Sequence, residues 1–447
     1  MQFQSICAIN NISPVAHSWL TQADRLTRYL RASGEYQFVR LQQGFSGHQF
    51  QRKILHKLKG RSVVYAEVTM PQSTYDALSI PWGALMDLPI GEAILYHNES
   101  VTRSDFEYAC FEGEGIGIDL CPEKFKYARR SVFHWKGHPL TITEYFVQDM
   151  PALPLISKTA QRWEGVRARL RNYGQLMRLH RPMPIGLMAF PTLLALFLAS
   201  HGWPGWTLFL IFMAGIVVMR SAGDVVNDLA DRHWDGKVAR TRLRPLVTGR
   251  VRVRNAWILL GMLLGLALGL VLMLNFLSLI YALVGCALAL VYPLMKRVTH
   301  FPQVILGMAY NFGILLAFAA VQNQAPALAW VLWLGSIFWC VAYDTEYALA
   351  DRVDDLHIGI KSTAVFFGRY ASVWIGVFQA VTIGLYLAVG MLAHLGWIFE
   401  GAVLGMIPFF LYQQTLIQGN DPKRCIQAFN HNFWPMLMVF GVGVCLS

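Results

Sequence analysis

The chain has 447 residues, 55% of them hydrophobic, and a formal charge of +11. Its mean hydropathy of +0.39 excludes an all-soluble protein of this length. The positive balance does not indicate nucleic acid. No basic stripe stands outside the short loops between apolar runs, where membrane proteins concentrate lysine and arginine.

Residues 1–160 read as an α+β domain that no long apolar run interrupts. The segment from Trp19 to Leu30 has helical spacing, and QFVRLQQGF, KILHKL, SVVYAEVTM, SVFHWK and PLTITEYFV have the alternation of strands. The opening MQFQSICAINNISPV lacks the basic-then-apolar order of a signal peptide, so this domain is expected in the cytoplasm. The seven cysteines form no CxxC pair and fit reduced thiols. The segment from about Asp149 to Arg171 reads as a connection passing into a charged juxtamembrane helix, with 161–175 as the linker proper.

From 176 to 447 the chain is expected to be an all-α, multi-pass membrane bundle. Nine segments can be drawn, at 183–200, 205–226, 256–275, 277–295, 302–321, 328–348, 372–393, 398–416 and 432–446. Each approaches the roughly 20 apolar residues that a bilayer core requires. With the front domain in the cytoplasm, the loops 227–255, 296–301, 349–371 and 417–431 are cytoplasmic. They hold Lys237, Arg240, Arg242, Arg244, Arg250, Arg252, Arg254, Lys296, Arg297, Arg352, Lys361, Arg369, Lys423 and Arg424, whereas HGWPGW and VQNQAPA on the opposite side hold no lysine or arginine. That asymmetry satisfies the positive-inside rule.

Two related acidic phrases end apolar runs on the cytoplasmic side. NDLADRHWDG carries Asn227, Asp228, Asp231 and Asp235, and LADRVDDL carries Asp351, Asp354 and Asp355. At 3.6 residues per turn, Asp228, Asp231 and Asp235 share one helix face, as do Asp351 and Asp355. Like charges at this spacing repel, so the arrangement weakens a helix unless a cation binds. Hard oxygen donors on helices suit Mg²⁺, which takes carboxylates together with substrate phosphates. Two such clusters facing each other would hold a diphosphate. Tyr292, Lys296 and Arg297 in VYPLMKR, with Lys361 in IGIKST, supply cationic partners for a diphosphate or a carboxylate. The plain alternative is a pair of solvated helix ends. A transporter is the rival class, but no relay of ionisable residues crosses to the other side.

These segments, with MRLHRPMPIG and YQQTLIQ, resemble the signature segments of the 4-hydroxybenzoate polyprenyltransferase family from about Leu176 onward. The resemblance implies Mg²⁺-dependent transfer of a polyprenyl chain from its diphosphate to the carbon ortho to the phenol of 4-hydroxybenzoate. It also implies a place in ubiquinone synthesis at the bacterial inner membrane, with room for contact with other enzymes of that pathway. Asp228, Asp231, Asp235, Asp351 and Asp355 would hold the metal, the first cluster carrying more of it, and Arg297 the benzoate carboxylate. Two departures stand out. RLHRP, with His180 and Arg181, replaces an Arg-Leu-Asp-Lys-Pro phrase, and Asp224 replaces a small residue and is read as a partner for Arg220.

In the front domain LQQGF, QRKIL, MPQST, LPIGEAIL, ARRSVF and GHPLTITEYF follow, in order, the pattern of chorismate lyase between about Trp19 and Leu155. This resemblance implies a small antiparallel sheet with helices on one side and a buried, metal-free site that eliminates pyruvate from chorismate to give 4-hydroxybenzoate. Arg52 would pair with a substrate carboxylate, and Glu144 would act as acid or base near the hydroxyl. Ile90 would offer a backbone contact, and Leu26 would line the cavity. Glu67 stands where that family commonly has arginine. It motivates the alternative that the front domain only binds 4-hydroxybenzoate.

Overall fold

The computed structural model describes residues 3, 12–78, 89–96, 98–112, 115–118, 121–154, 158–232, 234, 235, 241 and 243–447. The chain divides into two compact units, Met1–Tyr173 with Ala239–Val253 and Gly174–Val238 with Arg254–Ser447. A stretch lying between two apolar helices in sequence therefore belongs to the first unit.

The first unit begins with helices α1 (Pro14–Thr21) and α2 (Leu26–Ala32). Ser13 caps α1 by accepting from the Ala16 amide at 3.1 Å, and Pro14 suits the first helical position. The single helix expected over Trp19–Leu30 is thus two helices. The carbonyls of Trp19 and Leu20 accept from Arg129 at 3.2 and 3.0 Å, and that of Asp24 accepts from Arg103 at 2.8 Å. These arginines take up backbone oxygens at the break that a continuous helix would have used internally.

An eight-stranded antiparallel sheet follows. Its strands are β1 (Tyr36–Ser46), β2 (Gln49–Leu58), β3 (Arg61–Pro71), β4 (Val101–Arg103), β5 (Glu107–Cys110), β6 (Ile116–Ile118), β7 (Cys121–Trp135) and β8 (His138–Val147). Helix α3 (Gln72–Leu78) and a π-helical turn at Gly91–Leu95 come between β3 and β4. The main order is β1-β2-β3-β8-β7-β4, and β5 and β6 also pair with β7. The strands expected from alternation are present. SVFHWK is only the end of the 15-residue β7, whose length lets it pair with three short strands in turn.

The register decides which side chains share a face, because directly paired residues point the same way. Arg52 pairs with Val68, which pairs with Ile142. Two residues along, Ile54 pairs with Ala66, Ala66 with Glu144, and Glu144 with Arg129. Arg52, Glu144 and Arg129 therefore project from one face. That face is covered around Phe50, Val68 and Phe133 by Ile90, Ile94 and Leu95, and around Val64 and Phe146 by Trp19, Leu20, Leu26 and Leu30.

Helix α4 (Lys158–Leu176) leads toward the second unit. There the long helices are α5 (Met183–Ser200), α6 (Trp206–Asp231), α8 (Val253–Val271), α9 (Phe276–Val298), α10 (Pro302–Gln322), α11 (Ala327–Ile358) and α13 (Ala371–Leu392). Short helices α7 (Pro245–Thr248) and α12 (Thr363–Phe367) lie between them. The chain ends with α14 (Gly396–Leu404), α15 (Met406–Ile417), α16 (Pro422–His431) and α17 (Phe433–Leu446).

Among the described residues seven helices are long and apolar enough to cross a membrane, where nine were expected. The eighth expected span is interrupted at Gly405, and the ninth is a helix of 14 residues. Pro408 explains the interruption, since its ring clashes with the carbonyl four residues back, at Leu404. Leu194, Leu196, Ile314, Phe318, Trp339, Tyr386 and Phe399 are buried in the core of the bundle. Trp257, Met262, Phe276 and Leu283, on α8 and α9, are exposed, as suits side chains that face lipid. Polar ties inside the bundle are made between helices: Asn311 of α10 donates to the Ser336 carbonyl of α11 at 3.1 Å, and Ser336 bonds Tyr386 of α13 at 2.8 Å.

Candidate active site

Both acidic phrases lie on helices that run past their apolar stretches. α6 continues through Asn227 and Asp228 to Asp231, and α11 continues through Asp351 and Asp355 to Ile358. Asp228, Asp231, Asp235 and Asp355 are buried, and Asp351 is half-buried. Carboxylates stacked one turn apart need counter-charges, and the first phrase receives them from other elements.

Lys296, in the last turn of α9, donates to Asn227 Oδ1 and Asp231 Oδ2, each at 3.0 Å. Its ammonium stands 5.5 Å from the Tyr292 ring, one turn earlier. The Lys296 carbonyl accepts from the Lys361 amide at 3.0 Å, and the Lys361 ammonium donates to the Val298 carbonyl at 3.2 Å. Lys296 thus joins the first phrase to the segment that immediately follows the second. Arg297 donates to the Ala230 carbonyl at 2.8 Å and lies 4.3 Å over the Trp234 ring.

A second cation, Arg178, stands between α4 and α5. It contacts Asp224 at 2.8 Å and Asp228 at 2.9 Å. Burial works against its charge, but the carboxylates of Asp224 and Asp228 outweigh that and raise its pKa. Arg220 also pairs with Asp224, as expected from their spacing of four. The sequence pattern points to His180 and Arg181 in this phrase and passes over Arg178, two residues earlier. The signal for Arg178 is an arginine beside the first span in a bundle with an extra aspartate at 224. The pattern also passes over Glu346, fully buried on α11, which accepts from Asn432 at 2.8 Å and Gln379 at 3.3 Å. Lys237, Arg240 and Arg242 lie outside the described residues.

Carboxylate and amide oxygens are hard donors, and the chemistry of Asn227, Asp228, Asp231, Asp235, Asp351 and Asp355 fits Mg²⁺. Among the described residues no three acidic, histidine or cysteine side chains are gathered as a ready metal site. Arg178 draws Asp228 toward Asp224, while Lys296 holds Asp231 beside Asn227, which spreads the first cluster between two cations.

In the first unit Arg52 is 1% exposed, with its guanidinium 5.8 Å over the Phe38 ring. Glu144 is buried in an ion pair with Arg129, which stacks 4.3 Å over Phe106. Burial, then the nearby Glu144 charge, pushes the Tyr96 phenol up. Ile90 and Leu26 are both buried but belong to separate apolar clusters, around Phe133 and Trp19 respectively.

Glu67 faces the other way. It pairs with Lys53 and Thr143, out of phase with Arg52 and Glu144, and accepts from Tyr65 at 2.6 Å. Lys53, Tyr65, Glu67 and Tyr145 line a groove of about 410 Å³ on that second face. The acid therefore leaves the charge of the Arg52 face unchanged.

The sequence matches the UbiA prenyltransferase family over residues 188–437. It is 48% identical over 280 residues to a 4-hydroxybenzoate octaprenyltransferase of Chromohalobacter salexigens, covering 63% of this chain and 94% of that protein. A protein of the same description from Citrobacter koseri is 44% identical over 285 residues, covering 64% of this chain and 98% of that one. Among solved structures, the apo form of a UbiA homolog from Aeropyrum pernix K1 superposes with a TM-score of 0.52 at 24% identity. That superposition covers 58% of this chain and 96% of the homolog, and shows a shared fold. With its acidic phrases at the ends of α6 and α11 and its helical bundle, the chain belongs to the UbiA prenyltransferase family.

Proposed function

We propose that the second unit transfers a polyprenyl chain, octaprenyl in the named relatives, from its diphosphate to 4-hydroxybenzoate. The observation that carries this reading is Lys296, whose ammonium holds Asn227 and Asp231 while its carbonyl holds the segment after the second acidic phrase. One residue thereby ties the first phrase to the segment that follows the second. The basic loops support a reading in which this end faces the cytoplasmic side of a bacterial inner membrane.

In this reading Lys296 and Arg178 donate to the oxygens of the diphosphate, exchanging part of their bonds to aspartate for bonds to phosphate. Asp228, Asp231, Asp235, Asp351 and Asp355 would hold Mg²⁺, which would supply charge neutralisation for the diphosphate. The allylic C–O bond breaks and its electron pair leaves with the diphosphate. The apolar walls keep water from the allylic carbon, which bonds to the ring carbon ortho to the phenol. The displaced ring proton passes to an aspartate or to the diphosphate. Arg297 receives the benzoate carboxylate, and Tyr292 walls the site beside Lys296.

The first unit, in the same reading, produces the acceptor. Arg52 binds a carboxylate of chorismate, with a guanidinium fork suited to that group. Glu144, oriented by Arg129, takes the ring proton as the ether C–O bond breaks. The enolpyruvyl fragment gains a proton and leaves as pyruvate, and the ring becomes 4-hydroxybenzoate. Support comes from the register, which sets Arg52 and Glu144 on one buried face and Glu67 on the other. Ile90 and Leu26 close that face from two sides.

Purified full-length protein given chorismate, a polyprenyl diphosphate and Mg²⁺ is expected to release pyruvate and form prenylated hydroxybenzoate. Asp231→Asn is expected to abolish prenylation by about 100-fold or more while pyruvate release continues. Prenylation of added 4-hydroxybenzoate without pyruvate from chorismate would leave the first unit as a binding module. Absence of prenylation in the unaltered protein would refute the transferase reading.

A further inference from the structure

The segment Ala239–Val253 connects α6 to α8, yet it is built into the first unit. Helix α7 within it ends in three consecutive carbonyls that a short helix leaves without internal partners. Each accepts from a different side chain of the sheet domain. Lys136 Nζ donates to Val247 O at 2.7 Å, Asn98 Nδ2 to Thr248 O at 2.6 Å, and Ser100 Oγ to Gly249 O at 3.2 Å. The next turn is held in the opposite sense. Glu99 Oε2 accepts from the Arg252 amide at 2.9 Å, and the Glu99 carbonyl accepts from Arg252 Nε at 2.7 Å.

Packing agrees with the hydrogen bonds. Leu246 and Val251 are buried, as are Asn98 and Thr248. Gly249 has φ +77, and a Cβ there would lie 2.8 Å from Ser100 Oγ and 2.9 Å from its Cβ. Only glycine leaves room for the Ser100 side chain against this backbone in that conformation.

This segment is not remote from the chemistry along the chain. Pro245 follows Asp235 by ten residues, and Arg252 immediately precedes the first residue of α8. A connection pinned at its middle has fewer conformations to sample at its ends, so its acidic end is more often in its working position.

We propose that Asn98, Ser100 and Lys136 are positioning residues for prenyl transfer, acting through residues 245–252 to restrict the connection that begins at the first acidic phrase. The proposal rests on the transferase reading. It makes the sheet domain a structural part of the transferase, whether or not that domain turns over a substrate of its own.

The test uses full-length protein supplied with 4-hydroxybenzoate, polyprenyl diphosphate and Mg²⁺, so that no product of the first unit is needed. In Asn98→Ala/Lys136→Ala, the KM for the polyprenyl diphosphate is expected to rise about tenfold or more. The KM for 4-hydroxybenzoate should stay within about twofold, because the restricted connection carries the diphosphate end of the site. Trypsin is expected to cut after Arg250 and Arg252 about tenfold faster in the same variant. Lys136→Arg alone, which keeps a cationic donor, should leave both properties near those of the unaltered protein. Lys136→Ala alone, at an exposed position, serves if the double variant does not accumulate.

Faster cleavage with an unchanged KM would overturn the positioning role. Unchanged cleavage would overturn the holding role that it depends on. If the unaltered protein transferred no prenyl group, the transferase reading would fall, while cleavage rates would still decide whether these residues hold the segment.

Discussion

Lys296 and Arg178 show how a buried acidic cluster is kept without a gathered metal site. The aspartates at 224, 228 and 231 meet the cations of Arg178, Arg220 and Lys296, so each carboxylate has a counter-charge beside it. Breaking one such pair costs more than the pair contributes, because the remaining charge stays buried. A residue with a different kind of dependence is His56. Burial pushes its pKa down to about 3, and its Nδ1 bonds the Tyr36 hydroxyl at 2.8 Å. The unfolded chain binds a proton below about pH 6.5 that the folded chain refuses until about pH 3. Stability is therefore full above pH 6.5 and falls as pH drops toward 3, by up to about 1.4 kcal/mol per unit. Hydrogen exchange of the β1–β2 amides should follow this slope, and His56→Asn should flatten it. The acidic residues of the candidate site stand out in the sequence because repeated carboxylates after apolar runs have few structural uses. Arg178 was not, because its partners are 46 and 50 positions away and nothing local marks it.

Among the elements, apolar periodicity located the long helices but not their ends. Hydropathy falls after 226 and 348, whereas α6 and α11 continue to Asp231 and Ile358 because Leu, Ala and Arg favour helix after the apolar run has ended. The strands β4 and β6 have three residues each and β5 has four, too few to establish an alternation. Only pairing with the long β7 holds them. Pro408 was visible throughout, and its clash with Leu404 accounts for the divided span. Close helix packing depends on residues that hydropathy barely weighs. A Cβ at Gly443 of α17 would stand 2.5 Å from Leu194 Cδ1 on α5, with Phe399 of α14 3.2 Å away. Small residues at such contacts let helices approach where lipid provides no hydrophobic drive. Gly443→Val is expected to destabilise the bundle by about 1–3 kcal/mol, read as a lower Tm in detergent, whereas Gly441→Ala, with open space at its Cβ, should leave it unchanged.

At the scale of the whole molecule, the two reactions proposed for this chain would gain from their physical linkage. A tethered source of 4-hydroxybenzoate raises its concentration near the membrane, by an effect of about millimolar order for a short flexible link. The expected outcome is that chorismate supports prenylation at bulk 4-hydroxybenzoate levels too low to support it alone, measured with an external trap for the free acid. Equal rates from chorismate and from the same bulk level of free acid would refute it. The division of the chain into units was only partly legible. Composition separates 1–160 from the apolar remainder of the chain, but no pattern in residues 239–253 announces that they belong with the sheet. Their contacts are made to side chains between 111 and 153 positions away. This interleaving also sets an order of events during synthesis. The ribosome completes the sheet, then α5 and α6, and only afterwards the three carbonyls that Lys136, Asn98 and Ser100 bind. A nascent chain arrested before Val253 should leave the Asn98–Ser100 turn open to exchange, and one in which Val253 has emerged should protect it. The first unit thus finishes folding only after two apolar helices have been made.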